Sequence, residues 1–166
     1  MNMIMKETQT TNMKGYNVDS LLSYVLKLWV KDRRQLLDEF GLTIPQYEVL
    51  NAISSLSNYK KDIIQTDLSK ETRIEPMNIS MILRNLEKNN LITRRRGTMD
   101  TRVMYIGLTE KGKSVYQKAS SGMLSSYSEL YSNIDEKDLT IQLLKLSNVL
   151  SSESRRPLEA NYHLNK

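Results

Sequence analysis

The spacing of apolar positions predicts a long amphipathic helix near the start of the chain. Across residues 17–40 apolar side chains recur every three or four positions, which is the helical period, and Gly41 would end the helix. A second helix is predicted after Thr43, because Gln46 can return the hydrogen bond of a capping Thr43 and Pro45 suits a first helical turn.

Two shorter helices are predicted in the middle of the chain. A polar loop at 54–62 precedes a short helix that Thr66 or Asp67 would cap. After a brief turn, Pro76 begins the next helix, which ends near Asn89. The two helices and the turn between them have the size of a helix-turn-helix motif.

A hairpin should follow these helices. Its predicted arms are residues 91–96 and 102–108, and in the second arm Met104, Ile106 and Leu108 share one face. Two further helices are predicted beyond the hairpin. The first is capped by Thr109 and runs to about residue 131, and the second is capped by Asp135. Four leucines of the last helix form a stripe at alternating steps of four and three: Leu139, Leu143, Leu146 and Leu150.

The composition narrows the chemistry that the chain can perform. It contains no cysteine and one histidine, His163, so disulfides, thiolate metal sites and a cysteine nucleophile are excluded. Without a phosphate-binding glycine loop or a usable histidine, we expect no metal, no cofactor and no enzyme activity, although a Ser–Lys or paired-carboxylate site stays open. Apolar runs fall short of the roughly 20 residues of a membrane span, and no signal peptide is recognisable, which predicts a cytoplasmic protein.

Positive charge is concentrated on the fourth helix and the hairpin. Residues 77–102 hold six cations and two acids, which gives +4 of the net charge of +5. The fourth helix should bury Ile79, Ile82, Leu83 and Leu86. Its other face would contact base edges in a DNA major groove or, in the alternative, would be an ordinary solvated surface. This face consists of Met77, Asn78, Ser80, Met81, Arg84, Asn85 and Lys88.

The hairpin arginines are candidates for contact with the DNA backbone. Because strand side chains alternate between faces, Arg94, Arg95 and Arg96 cannot all point the same way. Asp100 and Arg102 could form an ion pair that orients the arginine. The alternative for the arginine run is a charged strand edge that prevents aggregation.

These elements predict a winged helix-turn-helix, mainly α with a small β-hairpin wing. We assign 43–108 to the DNA-binding lobe, and 17–42 with 109–152 to flanking dimerisation helices, since these helices carry more apolar residues than a small lobe can bury. Packing within one chain is the alternative. Residues 1–16 and 153–166 should form a flexible N-terminal segment and a C-terminal tail.

Several segments resemble the MarR family of bacterial transcription regulators in order and spacing, over roughly residues 17–152. An Asp-x-Arg wing followed by Leu-Thr-Glu-x-Gly is fairly specific, whereas no single segment would suffice. The segments that carry the resemblance are Leu42–Leu50, Asp67–Ser69, Met77–Ser80, Leu86–Ile92, Asp100–Arg102 and Leu108–Gly112.

The resemblance implies an obligate homodimer, with an interface formed by the first, fifth and sixth helices, that reads a pseudo-palindromic operator in double-stranded DNA. Such proteins are usually repressors, and many are released by small anionic aromatic ligands. Arg102 would enter the minor groove with Asp100 as its brace. Four residues would by position lie in the major groove: Met77, Asn78, Ser80 and Arg84.

A ligand pocket is a further expectation, between the dimerisation helices and the DNA-binding lobe. Five aromatic residues are candidate lining, although core packing is the simpler role for most of them: Tyr16, Tyr24, Trp29, Tyr47 and Tyr116. For the whole chain, the alternative function is a winged helix that docks an acidic protein partner without sequence-specific DNA binding.

Overall fold

The computed structural model describes residues 17–97 and 102–153, with side chains described up to residue 150. Within these residues the chain forms six helices and one two-stranded antiparallel sheet, which confirms the predicted winged-helix architecture. The elements are α1 (Val18–Asp38), α2 (Ile44–Leu56), α3 (Gln65–Thr72), α4 (Pro76–Lys88), β1 (Ile92–Arg96), β2 (Met104–Leu108), α5 (Glu110–Tyr131) and α6 (Glu136–Glu153).

Most helix ends follow the capping residues of the sequence. The Thr43 hydroxyl accepts the backbone N–H of Gln46, and the Gln46 side chain accepts the N–H of Thr43, so the predicted capping box is present. Gly41 lies three residues beyond the end of α1 with φ +66°, a left-handed conformation that glycine adopts without strain.

Two helix boundaries were predicted wrongly. Helix α2 continues through the expected start of the polar loop to Leu56, because Leu56 is buried and anchors the last turn. Helix α3 begins at Gln65, after Ile64 as its N-cap residue, so Thr66 and Asp67 lie inside its first turn. Asp67 still caps the helix, since its carboxylate accepts the backbone N–H of Ile64 at 2.9 Å.

The core of the lobe joins α2, α3, α4 and the hairpin. The hairpin pairs Ile92 with Leu108 and Arg96 with Met104, and Ile106 also forms an isolated bridge with Ile63. Ile82 is only half-buried, so the predicted core face of α4 is narrower than expected. The largest fully buried side chains are Leu37, Val49, Leu50, Ile53, Leu68, Ile79, Leu83 and Leu86.

The first turn of α5 is attached to the start of the hairpin. Thr109 donates its backbone N–H to the carbonyl of Leu91 at 3.1 Å and its hydroxyl to the carbonyl of Asn90 at 2.7 Å. The Thr109 hydroxyl also accepts the N–H of Gly112, which caps α5 as predicted. A Cβ at Gly112 would overlap the carbonyl oxygen of Leu91, so only glycine fits there without a backbone shift.

The chain divides into two compact units, residues 1–123 and 124–166. In the first unit, α1 exposes six large apolar side chains along its length, among them Val18 at 81% and Tyr24 at 59%. In the second unit, α6 exposes six more, and Leu143, Leu146 and Leu150 of the predicted stripe are among them. Among the described residues, no helix is both long enough and apolar enough to cross a bilayer.

Candidate nucleic-acid interface

The turn between α3 and α4 is held by side chains that bind its backbone. Arg73 adopts φ 59°, so the turn passes through the left-handed region at a residue that is not glycine. The Ser69 hydroxyl donates to the carbonyl of Ile74 at 2.7 Å, and Gln65 donates to the carbonyl of Pro76 at 2.9 Å. These bonds fix the start of α4 relative to α3, which compensates for the strain at Arg73.

An ion pair anchors the start of α3 to the loop before it. The Lys60 ammonium lies 2.6 Å from the Asp67 carboxylate, which also accepts the Ile64 N–H. Partial burial alone would raise the pKa of Asp67. The hydrogen bonds from Lys60 and Ile64 and the charges of Lys60 and Lys70 outweigh this effect, so the pKa lies below its ordinary value. The loop lysine thus has a structural role that the sequence did not reveal.

Helix α4 presents a polar and methionine-containing face to solvent. Its inner side buries Ile79, Leu83 and Leu86, whereas Met77 is 79% exposed and Met81 is 62% exposed. Met77 and Met81 are four residues apart, so their exposed side chains are neighbours on the solvent face of the helix. We call the residues of α4 that are predicted to contact base edges the reading face. Ser80 of this face is half-buried. The others are exposed: Met77, Asn78, Met81, Arg84, Asn85 and Lys88.

One flank of α4 forms a groove with the N-terminal end of α2. The groove has a volume of about 480 Å³ and is lined by Thr43, Gln46, Asn78, Met81 and Asn85 among others. Across it, the Gln46 amide donates a hydrogen bond to the Asn85 side-chain oxygen at 2.6 Å. The two helices are therefore joined by a polar contact at the edge of the predicted reading face.

The opposite flank of α4 faces the hairpin. The carboxylate of Glu87 lies 3.5 Å from the guanidinium of Arg94, whose side chain is 22% exposed. Glu87 is the acid closest in sequence to the reading residues, and this pairing turns it toward the strand. On the same flank Arg84 donates to the Ser80 hydroxyl at 3.2 Å, which holds the arginine along the helix.

The three hairpin arginines have different environments, as strand alternation predicts. Arg94 lies opposite Ile106 in the register, on the inner face, and pairs with Glu87. Arg95 is on the outer face, 3.7 Å from Asp62 and 5.8 Å from the ring of Tyr105. Arg96 is exposed at the end of β1.

No observed contact tests the predicted ion pair in which Asp100 orients Arg102. Asp100 lies outside the described residues, and Arg102 is exposed just before β2. The Gly97 N–H donates to the carbonyl of Val103 at 2.9 Å, which joins the two arms of the hairpin beyond the paired strands. The ion pair remains a prediction.

Three of the five aromatic residues considered for a ligand pocket lie in unit one close to polar partners. The rings of Tyr47 and Tyr116 lie with centroids 5.9 Å apart at a tilt of 32°, and the Tyr116 hydroxyl donates to Asn51 at 2.7 Å. The guanidinium of Arg33 lies 4.3 Å from the ring centre of Trp29.

Tyr47 is half-buried, so water reaches its hydroxyl only in part. Burial raises its pKa above the ordinary value, while a hydrogen bond with Ser120 acts in the opposite direction and the charge of Arg33 does so weakly. Tyr24 does not join this group. It is 59% exposed and lies five residues before Trp29, about 140° around the helix. Tyr16 lies outside the described residues.

The contacts that sequence reasoning missed join residues distant in the chain. Gln46 was expected only to cap α2, yet it reaches Asn85, which is 39 positions away. The pairs Lys60–Asp67 and Asp62–Arg95 likewise depend on tertiary packing. No periodicity or capping pattern encodes such contacts.

Comparisons with known proteins agree with this geometry. A family model described as the transcriptional regulator SarA/Rot matches residues 33–119. The helix-turn-helix regulator SarZ of Staphylococcus epidermidis is 29% identical over 132 residues, covering 78% of this chain and 84% of SarZ. SarZ of Staphylococcus aureus is 28% identical over 124 residues, covering 74% of this chain and 78% of that protein.

Solved structures share the fold. The structure of Staphylococcus aureus MepR in complex with DNA superposes with a TM-score of 0.70 at 25% identity, covering 82% of this chain and 96% of MepR. A MarR-family regulator from Rhodococcus gives a TM-score of 0.65 at 18% identity, covering 81% of this chain and 96% of that one, which shows a common fold. The resemblance to MarR-type regulators is thereby confirmed.

Proposed function

Because the chain belongs to the SarA/Rot family of transcriptional regulators and is therefore a DNA-binding regulator, we propose that it acts as a homodimer on a pseudo-palindromic operator and represses transcription there. Each copy contributes one winged-helix lobe, residues 43–108, to one half-site. A regulator of this kind acts in the cytoplasm and needs no catalytic step. The relative MepR, whose structure was solved with DNA, supports the proposal.

The observation that carries the proposal is the exposed face of α4. Met77 and Met81 are largely exposed beside Arg84 and Lys88, although the same helix buries its other side completely at Ile79. A DNA major groove accommodates such a helix, and methionine can cover a thymine methyl while arginine binds guanine. The turn that holds α4 rigidly at its start provides the positioning that base contacts require.

The proposed contact surface is narrower than the full set of basic residues. Arg94 and Arg95 pair with Glu87 and Asp62. We place Arg96 and Arg102 nearest the DNA backbone and minor groove, because both are exposed toward the tip of the hairpin. Asp100 is proposed to brace Arg102. On α4 the proposed surface comprises Met77, Asn78, Ser80, Met81, Arg84, Asn85 and Lys88.

The proposed dimer is supported by the exposed apolar side chains outside the lobe. Soluble monomers rarely expose contiguous apolar areas of this kind, and here they lie on α1 and on α6. We assign residues 17–42 and 109–152 to the interface. A second copy of the chain would bury these side chains, and the spacing of the leucines on α6 suits packing against another helix.

In this proposal a small anionic aromatic ligand releases the regulator from DNA. The arginine over Trp29, together with the Tyr47–Tyr116 pair, offers a cation and two adjacent aromatic rings in the same unit. A thermal-shift screen with phenolic carboxylates tests this idea, and a Trp29→Ala variant is its control. If no compound in such a panel raises the melting temperature, the site is not a ligand pocket.

Mobility-shift assays test DNA contact, with an operator sequence obtained by selecting DNA that the purified protein binds. Asn78→Ala should relax preference at one base position by about 1–3 kcal/mol, whereas Arg102→Ala should weaken binding evenly across sequences. Arg84→Ala should likewise relax preference at one base position. Loss of one phosphate contact in Arg102→Ala should reduce the salt slope of the logarithm of the binding constant by about 0.9. Lys113→Ala is the charge-matched control, since Lys113 already pairs with Glu110 on α5.

Wild-type affinity in all three variants would overturn the assigned contact surface. A complex with an acidic protein that forms without nucleic acid and resists salt would favour docking to a protein instead.

A further inference from the structure

The side-chain oxygen of Asn85 is fully occupied by two donors. Gln46 donates to it at 2.6 Å from α2, and Asn89 donates to it at 3.0 Å from one turn further along the chain. An amide oxygen accepts two hydrogen bonds through its two lone pairs, so no accepting capacity remains. Among the described residues these are the only hydrogen bonds of the Asn85 side chain, which leaves its N–H groups for an outside partner.

The orientation of the Asn85 side-chain amide is set by a backbone donor, through Gln46. The N–H of Thr43 can only donate, and it donates to the side-chain oxygen of Gln46 at 2.8 Å. Gln46 must therefore turn its nitrogen toward Asn85, and Asn85 must turn its oxygen toward Gln46. Side-chain amides are often ambiguous by a half-turn, but a relay that begins at a backbone donor has only one consistent arrangement.

Asn85 is placed where a base contact is possible. It lies two helical turns after Asn78 on the same side of α4, and both line the groove with Met81. Its side chain is exposed. Asn85 therefore belongs to the proposed reading face of α4, while its side-chain amide is held by Gln46, which is on α2.

We propose that Gln46 is a specificity-determining positioning residue, because its hold on the Asn85 oxygen leaves Asn85 only hydrogen-bond donors to offer DNA. The proposal rests on the proposed function. An unrestrained asparagine binds adenine through one donor and one acceptor. A donor-only Asn85 instead selects a base edge with an acceptor, which is O6 or N7 of guanine, O4 of thymine or N7 of adenine.

The Gln46→Glu variant tests this arrangement with almost no change in shape. Glutamate retains the oxygen that accepts the Thr43 N–H, so the capping box and α2 should be preserved. Its second oxygen cannot donate to Asn85, so the Asn85 amide turns over and presents its oxygen to DNA. Asn89 can turn with it, since the only hydrogen bond of its amide among the described residues is the one to Asn85.

Selection of DNA by purified wild type and Gln46→Glu measures the result. At one position of each half-site, preference should move by roughly threefold to tenfold toward bases that present an amino donor, which are cytosine and adenine. The added negative charge weakens binding to all sequences alike and cancels in the ratio between sequences. Asn85→Ala should lose preference at that same position, and adding Gln46→Glu to Asn85→Ala should then change nothing there.

NMR of the side-chain amide protons tests the same arrangement in the proteins without DNA. The wild type should show slowly exchanging protons on the Gln46 side chain, and Gln46→Glu should show them on Asn85. The proposal is overturned if Asn85→Ala alters the profile but Gln46→Glu does not, or if Asn85→Ala leaves the profile unchanged. If wild type selects no DNA, the proposed function fails and this inference fails with it, whereas the other outcomes leave DNA binding intact.

Discussion

The proposed DNA-binding lobe and the helices outside it differ in how completely a single chain buries their apolar side chains. Within residues 43–108, the described part of the chain exposes three large apolar side chains, Tyr59, Met77 and Met81, and two of these are on the proposed reading face. Helices α1 and α6 expose six each. The lobe thus buries most of its large apolar side chains within the chain, while α1 and α6 leave many of theirs exposed.

This difference separates the two tasks proposed for the protein. The lobe must keep a rigid reading face whether or not DNA is bound, so its turn and helix ends are fixed by hydrogen bonds within the chain. In the proposed dimer, the outer helices would gain their packing by association. The stability of the lobe should therefore respond to internal contacts, and the oligomeric state should respond to exposed leucines.

The largest effect is expected from a charge in the leucine stripe of α6. Leu146→Glu should raise the dimer dissociation constant by about 100-fold or more, because a buried carboxylate without a partner is strongly unfavourable. Sedimentation should then give the mass of one chain, 19.3 kDa, instead of twice that mass. Thr140→Glu, at an exposed position off the stripe, is the control. An unchanged dimer in Leu146→Glu would remove α6 from the interface.

The next largest effect concerns the attachment of α5 to the hairpin. Gly112→Ala should lower the free energy of unfolding by about 3 kcal/mol, because the added Cβ overlaps the Leu91 carbonyl. Gly122→Ala, in the same helix, is the matched control, since its Cβ would meet only the side chains of Leu36 and Phe40 at ordinary distance. Helix propensity should make that variant neutral or more stable by up to about 1 kcal/mol. Denaturant unfolding of both variants measures the contrast, which equal stabilities would contradict.

A smaller effect is expected at the start of α3, and it depends on pH. The pKa of Asp67 is lower in the folded protein than its ordinary value of 3.8, so its stabilising contribution is present above that value and is lost as pH falls through the folded pKa. Asp67→Asn should cost about 1.5 kcal/mol at neutral pH. The difference from wild type should shrink below about pH 4.

Thermal unfolding across pH gives this comparison for Asp67→Asn. The control is Asp62→Asn, because Asp62 is more exposed and its ion pair with Arg95 is longer, at 3.7 Å. A gap between Asp67→Asn and wild type that stays constant down to pH 2 would show that the carboxylate charge contributes nothing.

The smallest effect is expected in the turn. Arg73→Gly should raise stability by about 0.5–1 kcal/mol, since glycine adopts φ 59° without the strain of a side chain. If Arg73 also contacts a DNA phosphate, the same variant should bind DNA more weakly. Asn90→Gly is the control, because asparagine already tolerates the left-handed region at φ 57°. A loss of stability in Arg73→Gly would show that the arginine side chain makes favourable contacts.

Local features of the fold could be predicted from the sequence, while contacts between distant segments could not. The capping box at Thr43, the start of α4 at Pro76 and the cap at Thr109 each depend on residues within four positions of one another. The end of α2 was missed because Ser54 and Ser55 suggest a loop, although a buried Leu56 keeps them helical. Asp67 was expected to cap from the N-cap position, but it does so from within the first turn.

The features of the candidate site likewise divide into local ones, which the sequence predicts, and contacts between distant residues, which it does not. Periodicity separated the two faces of α4, and alternation showed that Arg94 and Arg95 must differ. Their partners Glu87 and Asp62 became visible only in three dimensions, since neither lies on the same helix or strand as its arginine. The same reason hid the contact between Gln46 and Asn85.

The hairpin is fixed at both ends of its ladder, which bears on how such a protein can diversify. At its base, the carbonyl of Leu91 accepts the N–H of Thr109, and at its far end Gly97 donates to Val103. Insertions or deletions between Gly97 and Val103 therefore leave the register of both arms unchanged, whereas a one-residue insertion at the start of β1 would turn Arg94, Arg95 and Arg96 to the opposite faces. We expect the reach of the wing to vary in length among descendants of this sequence, and its base to stay constant.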